Sequence, residues 1–298
     1  MERQQKNERK RIEVIAMDLD GTLLHTDGTV GDKTVKALRQ AFDQGVTVIA
    51  ATGRSYMALP EALGDLPFIR YVVTSNGSSI FDREGDRRIY KKDMPVSLVI
   101  KVLNIALKWR VPYEIYIAGE SYCPEHYFED PVSYGMPENM REYVRTTRKP
   151  VKDMTAFTLA HLSRMEGMNL ICGDMAMRSA IRQELLKIEG IYVTAAARYY
   201  LEVADRHVSK AKALDHLVRE LGHSAEQVAA FGDGENDIEM LEYAGTGVAM
   251  GNAAPETRER ADYVTLTNDE DGIADFLANI DGCACKNTTY SVDCSRTH

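Results

Sequence analysis

The sequence has no long hydrophobic run, so a membrane-spanning protein is not expected. No stretch approaches the roughly 18 consecutive apolar residues that a membrane helix needs. The initial MERQQKNERKR is charged where a secretory signal would be apolar. We therefore expect a cytoplasmic protein without a membrane partner. With 298 residues, 44% of them hydrophobic and 27% charged, the chain can form one large globular domain or two ordinary ones.

Cysteine is scarce and is not spaced for crosslinks or metal binding. The five cysteines leave one unpaired and include no CxxC pair, so neither a disulfide framework nor a zinc site is predicted. We expect free thiols at Cys123, Cys172, Cys283, Cys285 and Cys294.

Excess positive charge is also missing. The chain has 36 lysines and arginines against 45 aspartates and glutamates, which gives a formal charge of −9. Nucleic acids and anionic membranes attract proteins through clustered basic residues, so we expect neither as a partner. An anionic ligand must instead be held by a local site.

The sequence does contain alternating strand-like and helix-like segments. Five of them follow one another near the amino terminus: strand 12–18, helix 34–42, strand 46–51, helix 56–63 and strand 71–74. The same alternation returns between residues 211 and 261. This order predicts an α/β fold in which helices cover a parallel sheet.

The pattern changes between these two halves. Residues 119–150 are rich in tyrosine, proline and glutamate, and strand-like and helical segments lie on both sides of them. We predict an inserted α+β domain that covers the core as a cap. The expected division is an arm over 1–11, a core over 12–82 and 199–280, a cap over 83–198 and a polar tail over 281–298.

Two aspartates end the first apolar run, VIAMDLDGTLL. Asp18 and Asp20 are two residues apart, so on a strand their side chains point the same way. Open α/β sheets bind ligands at the carboxyl ends of parallel strands, and two adjacent carboxylates favour a cation there over an ordinary solvated turn. A calcium EF-hand is excluded because its twelfth position, Thr29, is not glutamate.

Other strand ends carry complementary chemistry. A second acidic cluster, FGDGENDIEML, offers oxygen ligands without histidine or cysteine, which favours magnesium over zinc or copper. Thr52 and Gly53 lie where a helix is expected to begin, a position suited to an anion. Lys210 starts another helix, where a cation is disfavoured unless an anion lies nearby. A phosphate would satisfy both positions.

These segments resemble the four motifs of the haloacid dehalogenase (HAD) superfamily of phosphohydrolases, in particular its Cof-type branch with a large C2-type cap. The motifs occur in order between residues 12 and 278: MDLDGTLL, ATGR, SKAKAL and FGDGENDIEML. The segment TSNG over 74–77 is similar to an Asn-Gly that the branch carries after its second motif. His207 and Ala211 depart from the branch, which usually has glycine on either side of the third-motif lysine. The resemblance implies a Rossmann-like parallel-sheet core with an inserted α+β cap.

The resemblance also implies roles for individual residues. Asp18 is the implied nucleophile, which forms an aspartyl phosphate, and Asp20 is the implied acid and base. The implied Mg²⁺ ligands are Asp18, the backbone carbonyl of Asp20, and Asp233, with support from Asp237. The implied phosphate-binding residues are Thr52, Gly53, Lys210 and Asn236, supported by Arg54, Asn76 and Gly77.

We therefore predict a Mg²⁺-dependent phosphatase that hydrolyses a small phosphorylated metabolite, such as a sugar phosphate, pyridoxal phosphate or a flavin-pathway phosphate. A sugar phosphomutase and a non-catalytic phospholigand-binding protein are the alternatives, and the reaction product discriminates among them. The cap is expected to set specificity, because the core residues address only phosphate. Five cap tyrosines could line its pocket, although most are expected to pack: Tyr113, Tyr116, Tyr122, Tyr127 and Tyr134. The lone His25 is expected to be a surface or packing residue.

Overall fold

A computed structural model describes residues 11–195 and 199–280, and these contain fourteen strands, ten α-helices and eight short 3-10 segments. The strands are β1 (Val14–Met17), β2 (Thr47–Ala51), β3 (Ile69–Thr74), β4 (Ser79–Asp82), β5 (Arg87–Lys91), β6 (Tyr113–Ile117), β7 (Glu120–Pro124), β8 (Arg148–Val151), β9 (Gly167–Ile171), β10 (Ile191–Thr194), β11 (Tyr200–Asp205), β12 (Val228–Gly232), β13 (Thr246–Ala249) and β14 (Tyr263–Val264). The α-helices are α1 (Asp32–Asp43), α2 (Val96–Trp109), α3 (Glu125–Glu129), α4 (Arg141–Thr147), α5 (Met154–Ala160), α6 (Met175–Leu185), α7 (Lys210–Glu220), α8 (Ile238–Tyr243), α9 (Pro255–Arg260) and α10 (Gly272–Asn279).

The predicted tail, with Cys283, Cys285 and Cys294, lies outside the described residues, as does the predicted arm except for its last residue, Arg11. Cys123 and Cys172 are buried free thiols, as expected. No helix within the described ranges combines the length and the apolar character that a membrane span requires.

The larger sheet has eight strands in the order β14-β13-β12-β1-β2-β3-β4-β5. The strands from β14 to β3 pair in parallel, whereas β4 and β5 add an antiparallel hairpin at one edge. Strand β1 lies between β12 and β2, with Val14 opposite Val228 and Thr47. All four residues of β1 are buried, as expected of a parallel strand covered on both faces. The predicted α/β class is confirmed.

Side chains of β1 alternate between two hydrophobic cores. Ile15 and Met17 pack in a core that includes residues of α1 and α10. Val14 and Ala16 pack in a second core, with residues of α7 and α8. Helices therefore cover both faces of the sheet, and the end of β1 is fixed from both sides.

The smaller sheet has six strands in the order β10-β11-β9-β6-β7-β8, and most of its pairs are antiparallel. Its main core is formed with residues of α2 and α6. A smaller apolar cluster lies around Tyr127 of α3 and Val144 of α4. In chain order this sheet falls between β5 and β12, which is the α+β insertion that the sequence predicts.

Three expected features differ in detail from the structure. Strand β5 lies beyond the expected boundary at 82/83 but pairs with β4 in the larger sheet. Strand β11 lies beyond the boundary at 198/199 but pairs with β9 and β10 in the smaller sheet. The helix predicted over 56–63 is two 3-10 segments, Tyr56–Ala58 and Glu61–Leu63. Pro60 explains the break, because proline disfavours helical geometry in the residue before it, and Leu59 is extended.

Candidate active site

Strand β1 delivers Asp18 to the carboxyl edge of the larger sheet. The Asp18 amide donates to the Phe231 carbonyl at 3.0 Å, which extends the pairing of β1 with β12. The chain then turns, so Asp18 and Asp20 lie in different surroundings. The Asp18 side chain is only 8% exposed, whereas that of Asp20 is 53% exposed. The two carboxylates are therefore not equivalent, although they are two residues apart.

A close approach of two loops brings Asp233 to the same edge. Gly21 has a φ of +79°, and a Cβ there would lie 2.5 Å from Asp233 Oδ2. Glycine is therefore required both by the backbone conformation and by the space available. The Thr22 hydroxyl donates to Asp233 Oδ1 at 2.9 Å and fixes the carboxylate.

Asp237 braces the loop that carries Asp233. Its Oδ2 accepts the amides of Asp233 and Gly234 at 3.0 and 2.9 Å. Its Oδ1 accepts a hydrogen bond from Lys210 Nζ at 2.7 Å. Both oxygens of Asp237 are thus engaged by groups of the protein.

Lys210 lies completely buried at the start of α7. Its ammonium donates to Asp18 Oδ1 at 2.6 Å as well as to Asp237. Burial alone would lower the pKa of Lys210, but the two carboxylates outweigh it and raise the pKa above its ordinary value. The lysine is therefore a fixed positive charge beside Asp18.

Negative charge still exceeds positive charge at this edge. Burial, together with Asp237 and Asp233, raises the pKa of Asp18, and burial followed by the charge of Asp237 raises the pKa of Asp233 to about 7. Asp18, Asp233 and Asp237 each offer a carboxylate oxygen, and these oxygens lie within 4.8 Å of one another. Hard oxygen donors with surplus negative charge fit Mg²⁺. The Asp20 side chain does not belong to this group of carboxylates. This agrees with the form of the prediction, which assigned the backbone carbonyl of Asp20, and not its side chain, to the metal.

The predicted phosphate-binding residues are divided between a cavity and the protein interior. Thr52, Gly53 and Asn236 line a cavity of about 260 Å³ together with Asp18 and Asp233. Lys210, by contrast, does not line the cavity, since it is fully buried and reaches Asp18 from the interior.

The residues predicted to support phosphate binding lie around this cavity. Asn76 accepts a hydrogen bond from Asn236 Nδ2 at 3.0 Å and donates to Glu202 Oε2 at 2.6 Å, which joins the two sheets. At Gly77, a Cβ would lie 2.2 Å from the Ser209 carbonyl, so this glycine allows the loop to pack against the start of α7. Arg54 lines the cavity and pairs with Asp20 through two hydrogen bonds, of 2.7 and 2.6 Å.

The smaller sheet supplies the other side of the cavity. Only one of the five cap tyrosines that the sequence offered, Tyr116, lines it. The cap residues that sequence reasoning missed are Met140, Tyr143, Arg148, Asn169, Tyr199, Tyr200 and Glu202. They come from α4, β8, β9, β11 and the segments next to α4 and β11, so no single local pattern marks them. His25 lies outside the cavity, with its Nε2 3.7 Å from Asp271.

Comparisons with known proteins agree over most of the chain. The model of a family described as haloacid dehalogenase-like hydrolase matches residues 15–277. One 5-amino-6-(5-phospho-D-ribitylamino)uracil phosphatase of Bacillus subtilis is 31% identical over 263 residues, covering 88% of this chain and 93% of that protein. An HMP-PP phosphatase of Escherichia coli is 29% identical over 257 residues, covering 84% of this chain and 88% of that protein. A haloacid dehalogenase-like hydrolase structure from B. subtilis has a TM-score of 0.80 at 27% identity, covering 90% and 99% of the two chains.

Proposed function

The chain belongs to the haloacid dehalogenase-like hydrolase family as a Cof-type phosphatase, and we propose that it hydrolyses a small phosphorylated metabolite with Mg²⁺ through an aspartyl phosphate. The observation that carries this proposal is the environment of Asp18. This buried carboxylate opens onto the cavity, has the Lys210 ammonium 2.6 Å away and lies beside Asp233 and Asp237. The expected compartment is the cytoplasm.

The proposed reaction has two steps. An Asp18 oxygen attacks phosphorus while the bond to the leaving oxygen breaks, and Asp20 gives its proton to that oxygen. Asp20 then takes a proton from water, which attacks the aspartyl phosphate, releases inorganic phosphate and restores the Asp18 carboxylate. Thr52, Gly53 and Asn236 line the cavity where the phosphoryl oxygens would bind.

Asp18 and Asp233, supported by Asp237 and the backbone carbonyl of Asp20, would hold the metal. Bound Mg²⁺ supplies positive charge that offsets the carboxylates and the phosphoryl oxygens. Lys210 holds one Asp18 oxygen in place, and Asp237 holds Lys210 and the Asp233 loop. The residues of this chain therefore position the nucleophile before substrate arrives.

The substrate is proposed to be a sugar phosphate, pyridoxal phosphate or a flavin-pathway phosphate. The B. subtilis relative is named for a ribityl phosphate and the E. coli relative for HMP-PP. The cavity of about 260 Å³ lies between the larger sheet and the cap, where the leaving group of such a substrate would bind.

A metabolite panel tests the proposal. Each phosphorylated metabolite is incubated with the protein and Mg²⁺, and both inorganic phosphate and the organic product are measured. Phosphate release from one or more small monophosphates is expected. An isomerised sugar phosphate without free phosphate would support a mutase instead, and no turnover of any ester would contradict the proposal.

A further inference from the structure

One cap tyrosine contacts two arginines at the edge of the cavity. The Arg54 guanidinium carbon lies 4.9 Å from the centroid of the Tyr143 ring, and that of Arg148 lies 4.7 Å from it. Both distances are within the range of cation–π attraction. Tyr143 belongs to α4 of the inserted segment, whereas Arg54 follows β2 of the larger sheet. The ring therefore links the two parts of the molecule.

Each arginine also donates two hydrogen bonds to one carboxylate. Arg148 holds Glu114 at 2.9 and 3.1 Å, and these side chains are only 3% and 0% exposed, so this end is fixed by burial. Arg54 holds Asp20 at 2.7 and 2.6 Å. The Asp20 side chain is 53% exposed, so packing alone does not fix its orientation. The salt bridge from Arg54 does fix it, because each carboxylate oxygen accepts one hydrogen bond, and each oxygen keeps a second lone pair for the proton that the proposed reaction transfers.

The inserted segment is docked beside Arg54 by further contacts. The Met57 amide donates to the Gly119 carbonyl at 2.9 Å, and the buried Ser121 hydroxyl donates to the Ser55 hydroxyl at 2.9 Å. Tyr143 therefore meets Arg54 only where the cap lies against the loop that follows β2.

We propose that Tyr143 is a positioning residue that couples the docked cap to the orientation of Asp20 through Arg54. The inference rests on the proposed function, in which Asp20 protonates the leaving oxygen. Without the Tyr143 ring, Arg54 keeps its hydrogen bond to the Ala58 carbonyl at 3.0 Å but loses its cation–π contact with the cap. Asp20 then samples more orientations, including ones that do not reach the leaving group. Misplacement of a catalytic group by a small distance is sufficient to lower a rate.

The leaving group of the substrate distinguishes this role from simple packing or substrate stacking. Phenyl phosphate and 4-nitrophenyl phosphate have similar rings but different leaving groups. The 4-nitrophenolate anion leaves readily without being protonated, whereas the more basic phenolate leaves much more readily when an acid protonates it. A change that acts through Asp20 therefore slows phenyl phosphate more than 4-nitrophenyl phosphate. A loss of packing or of stacking slows both esters to a similar extent.

The experiment compares kcat/KM for both esters, with Mg²⁺, in the wild type, Tyr143→Leu and Tyr143→Phe. General acid catalysis contributes about 10²- to 10⁴-fold, so we expect Tyr143→Leu to lose about tenfold more activity on phenyl phosphate than on 4-nitrophenyl phosphate. Tyr143→Phe keeps the ring and should restore most of the ratio. Tyr143→Met carries the same test if the leucine variant does not fold.

Tyr122→Leu is the matched control. Tyr122 is another cap tyrosine with a cation near its ring, since Lys149 Nζ lies 5.9 Å from the centroid, but it does not line the cavity. Its replacement should leave the ratio of the two esters unchanged. Equal losses on both esters in Tyr143→Leu, or a changed ratio in Tyr122→Leu, would overturn the inference. A wild type that hydrolyses neither ester would instead count against the proposed function itself.

Discussion

Two charged clusters, which lie on opposite sides of the cavity and partly behind its lining, are balanced in different ways. The floor, which we define as Asp18, Lys210, Asp233 and Asp237, has three carboxylates and one ammonium. The cap wall, defined as Glu114, Tyr116, Tyr143 and Arg148, has one carboxylate balanced by one guanidinium. The floor therefore carries surplus negative charge, which a bound cation would offset, whereas the Glu114–Arg148 pair of the cap wall is balanced. In the proposed function, the floor would perform the chemistry and the cap wall would position groups.

The largest expected effect is on the floor. Asp18→Asn removes the proposed nucleophile but keeps an amide oxygen that can accept the hydrogen bond from Lys210. We expect phosphatase activity to fall by at least about 10⁴-fold, as is typical when a nucleophile is removed. Phosphate release from the best panel substrate measures the loss, and thermal unfolding checks that the variant is folded. Activity within about tenfold of the wild type would show that Asp18 does not attack phosphorus.

The cap wall should respond in stability. Arg148→Met leaves Glu114, which is 0% exposed, without its charge partner. Breaking a buried pair from one side costs about 3–5 kcal/mol of the free energy of unfolding, because the remaining charge is uncompensated. Urea unfolding measures the cost. Adding Glu114→Gln should recover part of it, and a double variant no more stable than Arg148→Met would contradict this account.

The residues of the floor could be predicted from the sequence, whereas most residues of the cap wall could not. Asp18, Thr52 and Asp233 each follow a buried parallel strand, and the parallel strands of one sheet end at the same edge, so local pattern was enough to bring them together. Tyr143 and Arg148 reach the cavity only through the packing of α4 and β8, which depends on contacts distant in the chain. The pairing of β11 with β9 was missed for the same reason, since antiparallel partners carry no mark in the sequence.

Mg²⁺ should affect the stability of the floor and not that of the cap wall. In metal-free protein, burial and the charge of Asp237 raise the pKa of folded Asp233 to about 7 from its ordinary value of 3.8, so between these values the folded state binds the additional proton. Stability should therefore fall as pH rises from about 4 to about 7. Mg²⁺ offsets the negative charge, so the rise in Tm that it causes should grow over the same pH range. At 100 times its Kd, a ligand stabilises the folded state by about 2.7 kcal/mol.

Asp233→Asn tests this directly. The variant lacks the carboxylate, so its Tm should rise less with Mg²⁺ and should depend less on pH than that of the wild type. Arg148→Met serves as the comparison from the cap wall, and its Mg²⁺ response should match that of the wild type. A full response to Mg²⁺ in Asp233→Asn would place the metal elsewhere.

The smallest expected effect comes from replacing glycines that have a positive φ. Comparing two such glycines separates the cost of backbone strain from the cost of crowding at the floor. Gly21 and Gly28 have similar φ values of +79° and +83°, but a Cβ at Gly21 would lie 2.5 Å from Asp233 Oδ2, whereas one at Gly28 would meet nothing within 4 Å. Gly28→Ala should cost roughly 1–2 kcal/mol in the free energy of unfolding, because it places a side chain at positive φ. Gly21→Ala should cost more, because its Cβ must also displace the Asp233 carboxylate. Only Gly21→Ala displaces Asp233, so only this variant should lose part of the rise in Tm that Mg²⁺ causes. If both variants respond to Mg²⁺ like the wild type, the close approach of Gly21 does not hold the metal ligand in place, and the floor is less tightly constrained than its contacts indicate.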